Sequence, residues 1–103
     1  MQTETLTRST PLHLYLVPAG RRLDFDVAPG SFAYVYRRCR NQSWQCVANN
    51  ARSPFIDTTT LPADATPEYL IRYRDSSGSL KGTTSIVRAH PVGMPASPSW
   101  ISL

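Results

Sequence analysis

The sequence predicts an all-β fold, an antiparallel two-sheet sandwich of about seven strands. Three stretches alternate apolar and polar residues with a period of two, which is typical of half-buried strands. Clusters of Pro, Gly, Asn, Asp and Ser separate the strand candidates, which recur roughly every 8 to 14 residues. No stretch shows the spacing of an amphipathic helix. With 103 residues, 41% of them hydrophobic and 17% charged, the chain has the composition of one globular domain.

The first two alternating stretches lie in the N-terminal third of the chain. LHLYLV, residues 12–17, has leucine at every second position, and RLDFDVA, residues 22–28, alternates three apolar residues with Asp24 and Asp26. We interpret this aspartate pair as a solvated strand face rather than an acid–base pair. The remaining strand candidates are rich in β-branched and aromatic residues: FAYVYRRC, WQCVAN, PFIDTTTL and TTSIVRAH.

The third alternating stretch, PEYLIRYRD, places its apolar residues on one face and Arg72 and Arg74 on the other. The phase of YVYRR is ambiguous: with Val35 inward its outer residues join Arg72 and Arg74, whereas a shift by one residue breaks the patch. Arginine and tyrosine are enriched where proteins bind one another. The predicted partner-binding face consists of Tyr36, Arg38, Arg40, Arg72 and Arg74.

The positive charge of the chain is concentrated in its centre. The formal net charge is +4, and residues 35–60 hold four arginines against one aspartate, a local surplus of +3. Such a surplus faces either an acidic partner or solvent, and both interpretations remain open. Nucleic acid is a less favoured partner, because +4 is modest and no nucleic-acid-binding motif is present.

Both ends of the chain differ in composition from the part between them. Residues 1–11 and 93–103 are rich in Ser, Thr or Pro and lack alternation, which predicts two extended arms around a sandwich domain at 12–92. The C-terminal arm ends in three apolar residues, Trp100, Ile101 and Leu103. We expect this apolar tip to contact a partner or a neighbouring subunit; the alternative is that Trp100 folds back onto the sandwich.

These motifs resemble a fibronectin type III or related immunoglobulin-like module over residues 12–92. YVYRR resembles the third strand of that family, WQCVA the short strand after it, and PFIDTTTL the stretch before the long loop that precedes strand F. PEYLIRYRDSSG is similar to strand F, with Tyr69 at the tyrosine corner, so the resemblance implies that the Tyr69 hydroxyl bonds the backbone within 61–66. The core tryptophan of the family is absent from strand B, where LDFDV offers Phe25 or Val27.

Two cysteines, Cys39 and Cys46, flank a predicted hairpin turn at NQSW. With Arg40 opposite Gln45, the two cysteines face each other across the strands at a separation that suits a disulfide. A cross-strand disulfide and two reduced thiols remain alternatives. A zinc site is disfavoured because neither CxxC nor HxxxH spacing is present.

The chain contains no recognisable catalytic or cofactor motif. It lacks the GxSxG, GxGxxG and GxxxxGK patterns that mark nucleophiles and phosphate loops, so we expect neither enzyme activity nor a cofactor. We expect a structural or interaction module that docks on a larger assembly, most specifically a phage virion accessory protein of the capsid-decoration or tail type. The alternatives are an adhesive or carbohydrate-binding module of a bacterial secreted protein, or a small inhibitory binder.

We predict the cellular location from the pattern of the N-terminal residues and from the length of the apolar runs. The chain begins at Met1 without a basic-then-apolar signal peptide, and no apolar run reaches the roughly 18 residues that span a bilayer. We therefore expect synthesis in the cytoplasm followed by incorporation into a virion, or an extracellular location if the domain belongs to a longer secreted protein. A homo-oligomer and a glycan ligand also remain open.

Overall fold

The computed structural model describes residues 10–90, and these form an all-β domain of eight strands, which confirms the predicted fold class. In chain order they are β1 (Leu12–Val17), β2 (Gly20–Phe25), β3 (Phe32–Arg38), β4 (Gln45–Ala51), β5 (Phe55–Asp57), β6 (Glu68–Arg74), β7 (Leu80–Thr83) and β8 (Val87–Arg88). No helix in this part of the chain is long and apolar enough to cross a membrane.

The strands form two antiparallel sheets. One sheet has the order β1-β2-β5, and the other has the order β4-β3-β6-β7 with β8 also paired to β6. The strand count exceeds the predicted seven because β7 and β8 are two short segments along the same edge of β6. Between them, Thr84 keeps contact with β6 by exchanging hydrogen bonds with the backbone of Ile71.

The hydrophobic core lies between the two sheets, as the alternating stretches predict. The three-stranded sheet contributes Leu12, Leu23 and Phe25, and the five-stranded sheet contributes inward residues of β3 and β6. These inward residues are Ala33, Val35, Tyr69, Ile71 and Tyr73. Of the two residues proposed for the place of the family's tryptophan, Phe25 is buried, whereas Val27 lies beyond β2 and is 40% exposed.

Gly20 allows the two sheet partners β2 and β5 to approach closely. Its φ is +149°, and a Cβ atom at this position would collide with the backbone carbonyl of Asp57. Only glycine meets both conditions without strain. This close approach holds Asp57, the last residue of β5, at a fixed place against β2.

The predicted cysteine register is wrong. Arg37, not Arg40, lies opposite Gln45, and Tyr36 lies opposite Cys46. The reason is that β3 ends at Arg38, after which the chain turns with a Gln42 N–H to Cys39 carbonyl hydrogen bond of 3.0 Å. Cys39 therefore lies in the connection, and both cysteines are free.

The predicted arms and their apolar residues Trp100, Ile101 and Leu103 lie outside the described residues, except for Thr10 and Pro11. Thr10 forms a parallel bridge with Thr84, so the chain entering β1 runs beside the segment that links β7 to β8.

Candidate partner-binding face

The outer surface of the five-stranded sheet carries the predicted arginines and tyrosines. In β3 the inward residues are Ala33, Val35 and Arg37, so Tyr34 and Tyr36 point outward. This is the phase with Val35 inward. The direct pairs of β3 with β6 place Tyr34 opposite Arg72, and directly opposed residues share one side of a sheet. We name this surface the arginine–aromatic face; its residues are Tyr34, Tyr36, Arg38, Trp44, Arg72 and Arg74.

Each arginine of the arginine–aromatic face lies over an aromatic ring. The guanidinium carbon of Arg38 is 4.3 Å from the centre of the Trp44 ring. Arg72 lies 5.8 Å from the Tyr36 ring and Arg74 lies 6.0 Å from the Tyr34 ring. Such cation–π contacts hold the cation in place. The N–H groups of a guanidinium point outward in its own plane. An arginine whose flat face packs on a ring can therefore still bind a carboxylate at its edge.

The three stacked arginines differ in their other contacts. Arg38 donates two hydrogen bonds to Glu68, of 3.0 and 2.7 Å, and Arg74 donates one of 2.9 Å to the Gly78 carbonyl. Arg72 is exposed and forms no hydrogen bond or ion pair with another side chain within residues 10–90. Among the three, Arg72, near the middle of the face, is therefore the arginine whose donors have no side-chain partner within residues 10–90.

Arg40 does not lie on a strand, contrary to the prediction. It is exposed in the turn that follows β3, because the strand ends two residues earlier. Together with Arg38 it lines a groove at the end of the sheet. Three of the five residues of the predicted face, Tyr36, Arg72 and Arg74, thus lie on the outer surface of the sheet. The other two, Arg38 and Arg40, line the groove.

Three residues on or beside the arginine–aromatic face were not predicted from the sequence: Trp44, Glu68 and Arg88. Glu68 accepts hydrogen bonds from both Arg38 and Arg88, and these hold the pKa of its carboxyl group below the ordinary value. The alternation of β6 already puts Glu68 on the same side as Arg72. Trp44 had no such signal, because it lies in the connection before β4.

A second polar cluster is buried inside the sandwich, and it involves Tyr69. The Tyr69 hydroxyl donates a hydrogen bond of 2.5 Å to Oδ2 of Asp57, and Arg37 donates one of 2.9 Å to the same oxygen. Arg21 donates one of 2.7 Å to the Tyr69 hydroxyl. Tyr69 is buried as predicted, but its partner is a side chain of the opposite sheet rather than the backbone within 61–66. The prediction of a tyrosine corner is wrong because the inward Arg37 requires a counter-charge, and Asp57 provides it.

The charges of this buried cluster stabilise one another. Burial alone raises the pKa of Asp57, but hydrogen bonds from Tyr69, Arg37 and Thr59 outweigh it and lower the pKa to about 2. Burial, together with the bond to Asp57, raises the pKa of Tyr69. Asp57 is therefore a carboxylate and Tyr69 a neutral donor across the physiological range, and the cluster acts as a fixed link between the sheets.

The rest of the described residues offers few polar side chains that could form a further site. Asp24 accepts two hydrogen bonds of 2.8 Å from Arg22, which occupies both of its oxygens. Within residues 10–90 no group of three or more His, Cys, Asp and Glu side chains could hold a metal ion.

Comparison of the chain with protein-family models, with curated proteins and with solved structures gives no match.

Proposed function

We propose that this protein is a non-enzymatic interaction module that docks on an acidic surface of a protein partner through the arginine–aromatic face. The observation that carries this proposal is that Arg38, Arg72 and Arg74 each lie within cation–π distance of an aromatic ring on one surface of the domain. Arginine and aromatic residues dominate the energetics of protein interfaces. Arg38 and Arg74 are also held by hydrogen bonds, to Glu68 and to the Gly78 carbonyl, which lowers the conformational entropy that these two side chains lose when a partner binds.

Carboxylates are the groups that best complement this face. A planar guanidinium binds a carboxylate through two parallel N–H···O bonds. Arg72 and Arg74 are two residues apart on β6, so their backbone positions are separated by roughly 6.5 Å along the strand. Acidic side chains at alternate positions of an extended partner segment have the same spacing.

A protein partner is favoured over a single-stranded nucleic acid. Non-specific recognition of single strands uses aromatic rings on which bases stack. Here the guanidinium of Arg72 lies 5.8 Å from the centre of the Tyr36 ring, and that of Arg74 lies 6.0 Å from the centre of the Tyr34 ring. A guanidinium beside each ring leaves less of the ring open to a stacking base, which disfavours the base contacts that single strands use.

We propose a fibronectin type III-like module, and the strand order β1-β2-β5 facing β4-β3-β6-β7 supports it.

As the setting we propose a phage virion, where such a module acts as a capsid-decoration or tail protein. This proposal rests on analogy between small sandwich modules. Sedimentation with intact particles tests it: a protein that stays in the soluble fraction while particles assemble is not a virion component.

The docking proposal is tested with one charge reversal and a matched control. Arg72→Glu changes an exposed residue of the arginine–aromatic face, and Arg52→Glu changes an exposed arginine in the connection between β4 and β5. Binding of a labelled peptide with alternating glutamates is measured by fluorescence anisotropy, with a lysine peptide as the negative probe. We expect Arg72→Glu to weaken binding at least tenfold and Arg52→Glu to leave it within twofold. Equal losses in both variants would contradict docking through this face.

A further inference from the structure

An open groove of about 600 Å³ lies where β3 ends and β6 begins. Three arginines from separate segments line it: Arg38 at the end of β3, Arg40 in the following turn and Arg88 in β8. The polar side chains of Gln42, Thr66 and Glu68 complete much of the lining. A groove of this size is typical of small-molecule sites.

Two arginines of the groove are aligned by Glu68, and most donors of all three arginines have no partner within residues 10–90. Arg38 directs two N–H groups at Oε1 of Glu68, and Arg88 directs one at Oε2 over 2.7 Å. Each guanidinium carries five donors, and Arg40 uses none in a contact within residues 10–90. Glu68 thus aligns two arginines, and the Trp44 ring lies 4.3 Å from the Arg38 guanidinium carbon.

The charge of the groove indicates the class of ligand. Three arginines against Glu68 leave two positive charges without a counter-ion among the lining residues. Glu68 shows that a planar carboxylate engages two of the arginines, one through each oxygen. A tetrahedral dianion has three terminal oxygens, which suits three arginines that approach from three segments, and arginine is well suited to phosphate.

We propose that this groove binds the phosphomonoester group of a small soluble molecule. Arg40 and Arg88 supply the main contacts, and Arg38, aligned by Glu68 and Trp44, supplies a third. The proposal goes beyond docking on a protein partner, because it concerns a small ligand at the end of the sheet and needs no partner for its test.

The test is a titration followed by amide NMR, with inorganic phosphate and O-phosphoserine as probes at constant ionic strength. We expect saturable shifts in residues 38–42, 66 and 88, and binding of acetate at least tenfold weaker. Arg40→Gln/Arg88→Gln should weaken phosphate binding at least tenfold. The control Arg52→Gln/Lys81→Gln removes two exposed charges that do not line the groove and should change binding less than twofold. The single variant Arg40→Gln tests the groove without breaking any ion pair of the described residues, because both pairs of Glu68 are kept.

A second readout uses the two thiols. Cys39 lines the groove, whereas Cys46 lies in β4 and is exposed. Phosphate should slow alkylation of Cys39 at least threefold and leave Cys46 unchanged. Shifts that do not saturate, equal losses in the control variant, equal binding of acetate, or equal protection of both thiols would each overturn the proposal.

Discussion

Tyr69 of the five-stranded sheet donates its hydroxyl hydrogen bond to Asp57 of the three-stranded sheet, over 2.5 Å. The same oxygen of Asp57 accepts a bond from Arg37, and Arg21 bonds the Tyr69 hydroxyl. Two positive charges, on Arg21 and Arg37, thus lie beside the one negative charge of Asp57 at this contact between the sheets. Breaking such a pair is costly, because it leaves a buried charge without compensation. The cluster therefore fixes how the two sheets face each other.

We predict that Tyr69→Phe destabilises the domain by about 1–3 kcal/mol, because it removes one donor to Asp57 and one acceptor for Arg21. The matched control is Tyr73→Phe. The Tyr73 hydroxyl is also buried, but it has no hydrogen-bond partner among the described residues, so its removal should be close to neutral. Urea denaturation measures both variants. If they cost the same, the hydroxyl of Tyr69 makes no special contribution.

The pKa of Asp57 predicts how stability depends on pH. Its folded-state pKa of about 2 lies below the unfolded value. The stabilisation is therefore fully present above roughly pH 4 and is lost as the pH falls toward the folded-state pKa. A folded-state pKa this far below the ordinary value corresponds to roughly 2–3 kcal/mol of stabilisation of the folded state. NMR of the side-chain carboxyl carbons should show Asp57 still ionised at pH 3; a midpoint near 4 would contradict this prediction.

The strands could be predicted from the sequence, but the buried cluster could not. Period-two alternation in PEYLIRYRD places Tyr69, Ile71 and Tyr73 in the core as predicted, although Leu70 on the other face is also buried. In LHLYLV the alternation holds for Leu12 and Leu14, whereas Leu16 is 47% exposed. Arg37 belongs to a run of arginines that all look like surface residues. Its burial depends on Asp57, twenty residues away, and on the pairing of β2 with β5, which no local pattern encodes.

The candidate face could be predicted only in part, and for a related reason. The positions of Arg72 and Arg74 followed from the alternation within β6. Arg40 was misplaced because the end of β3 depends on the turn geometry, in which Asn41 adopts a φ of +61°. Trp44 and Arg88 reach this surface through connections and pairings between distant segments, so they had no signal in a single stretch.

Gly20 offers a test of the close approach between β2 and β5. We predict that Gly20→Ala destabilises the domain by more than about 1 kcal/mol, because the new Cβ collides with the Asp57 carbonyl and alanine disfavours the positive φ. Gly82→Ala is the matched control, since no atom lies within 4 Å of a Cβ there and its φ is not positive. Thermal unfolding compares the two. Equal effects would mean that β2 and β5 adjust freely.

The register of β3 and β4 predicts free cysteines. Because Cys46 lies opposite Tyr36 and Cys39 lies beyond the strand, we expect iodoacetamide to add two labels to the folded protein without reductant. Cys46 should react faster than Cys39, since Cys46 is exposed and Cys39 is half-buried. Mass spectrometry counts the labels. Labelling that requires prior reduction would show a disulfide and a different register.

The last prediction separates the geometry of the arginine–aromatic face from its charge. Arg72→Lys/Arg74→Lys keeps both charges but loses the planar groups that stack on Tyr36 and Tyr34. We expect the free energy of unfolding to stay within about 0.5 kcal/mol, since Arg72 is exposed and Arg74 half-buried. Affinity for the alternating glutamate peptide should nevertheless fall about fivefold, because lysine cannot form the bidentate bond. Binding by both proteins should weaken with salt, as expected for exposed charges. If the lysine variant binds as tightly as wild type, the face acts through its charge alone, and the stacked rings have no part in recognition.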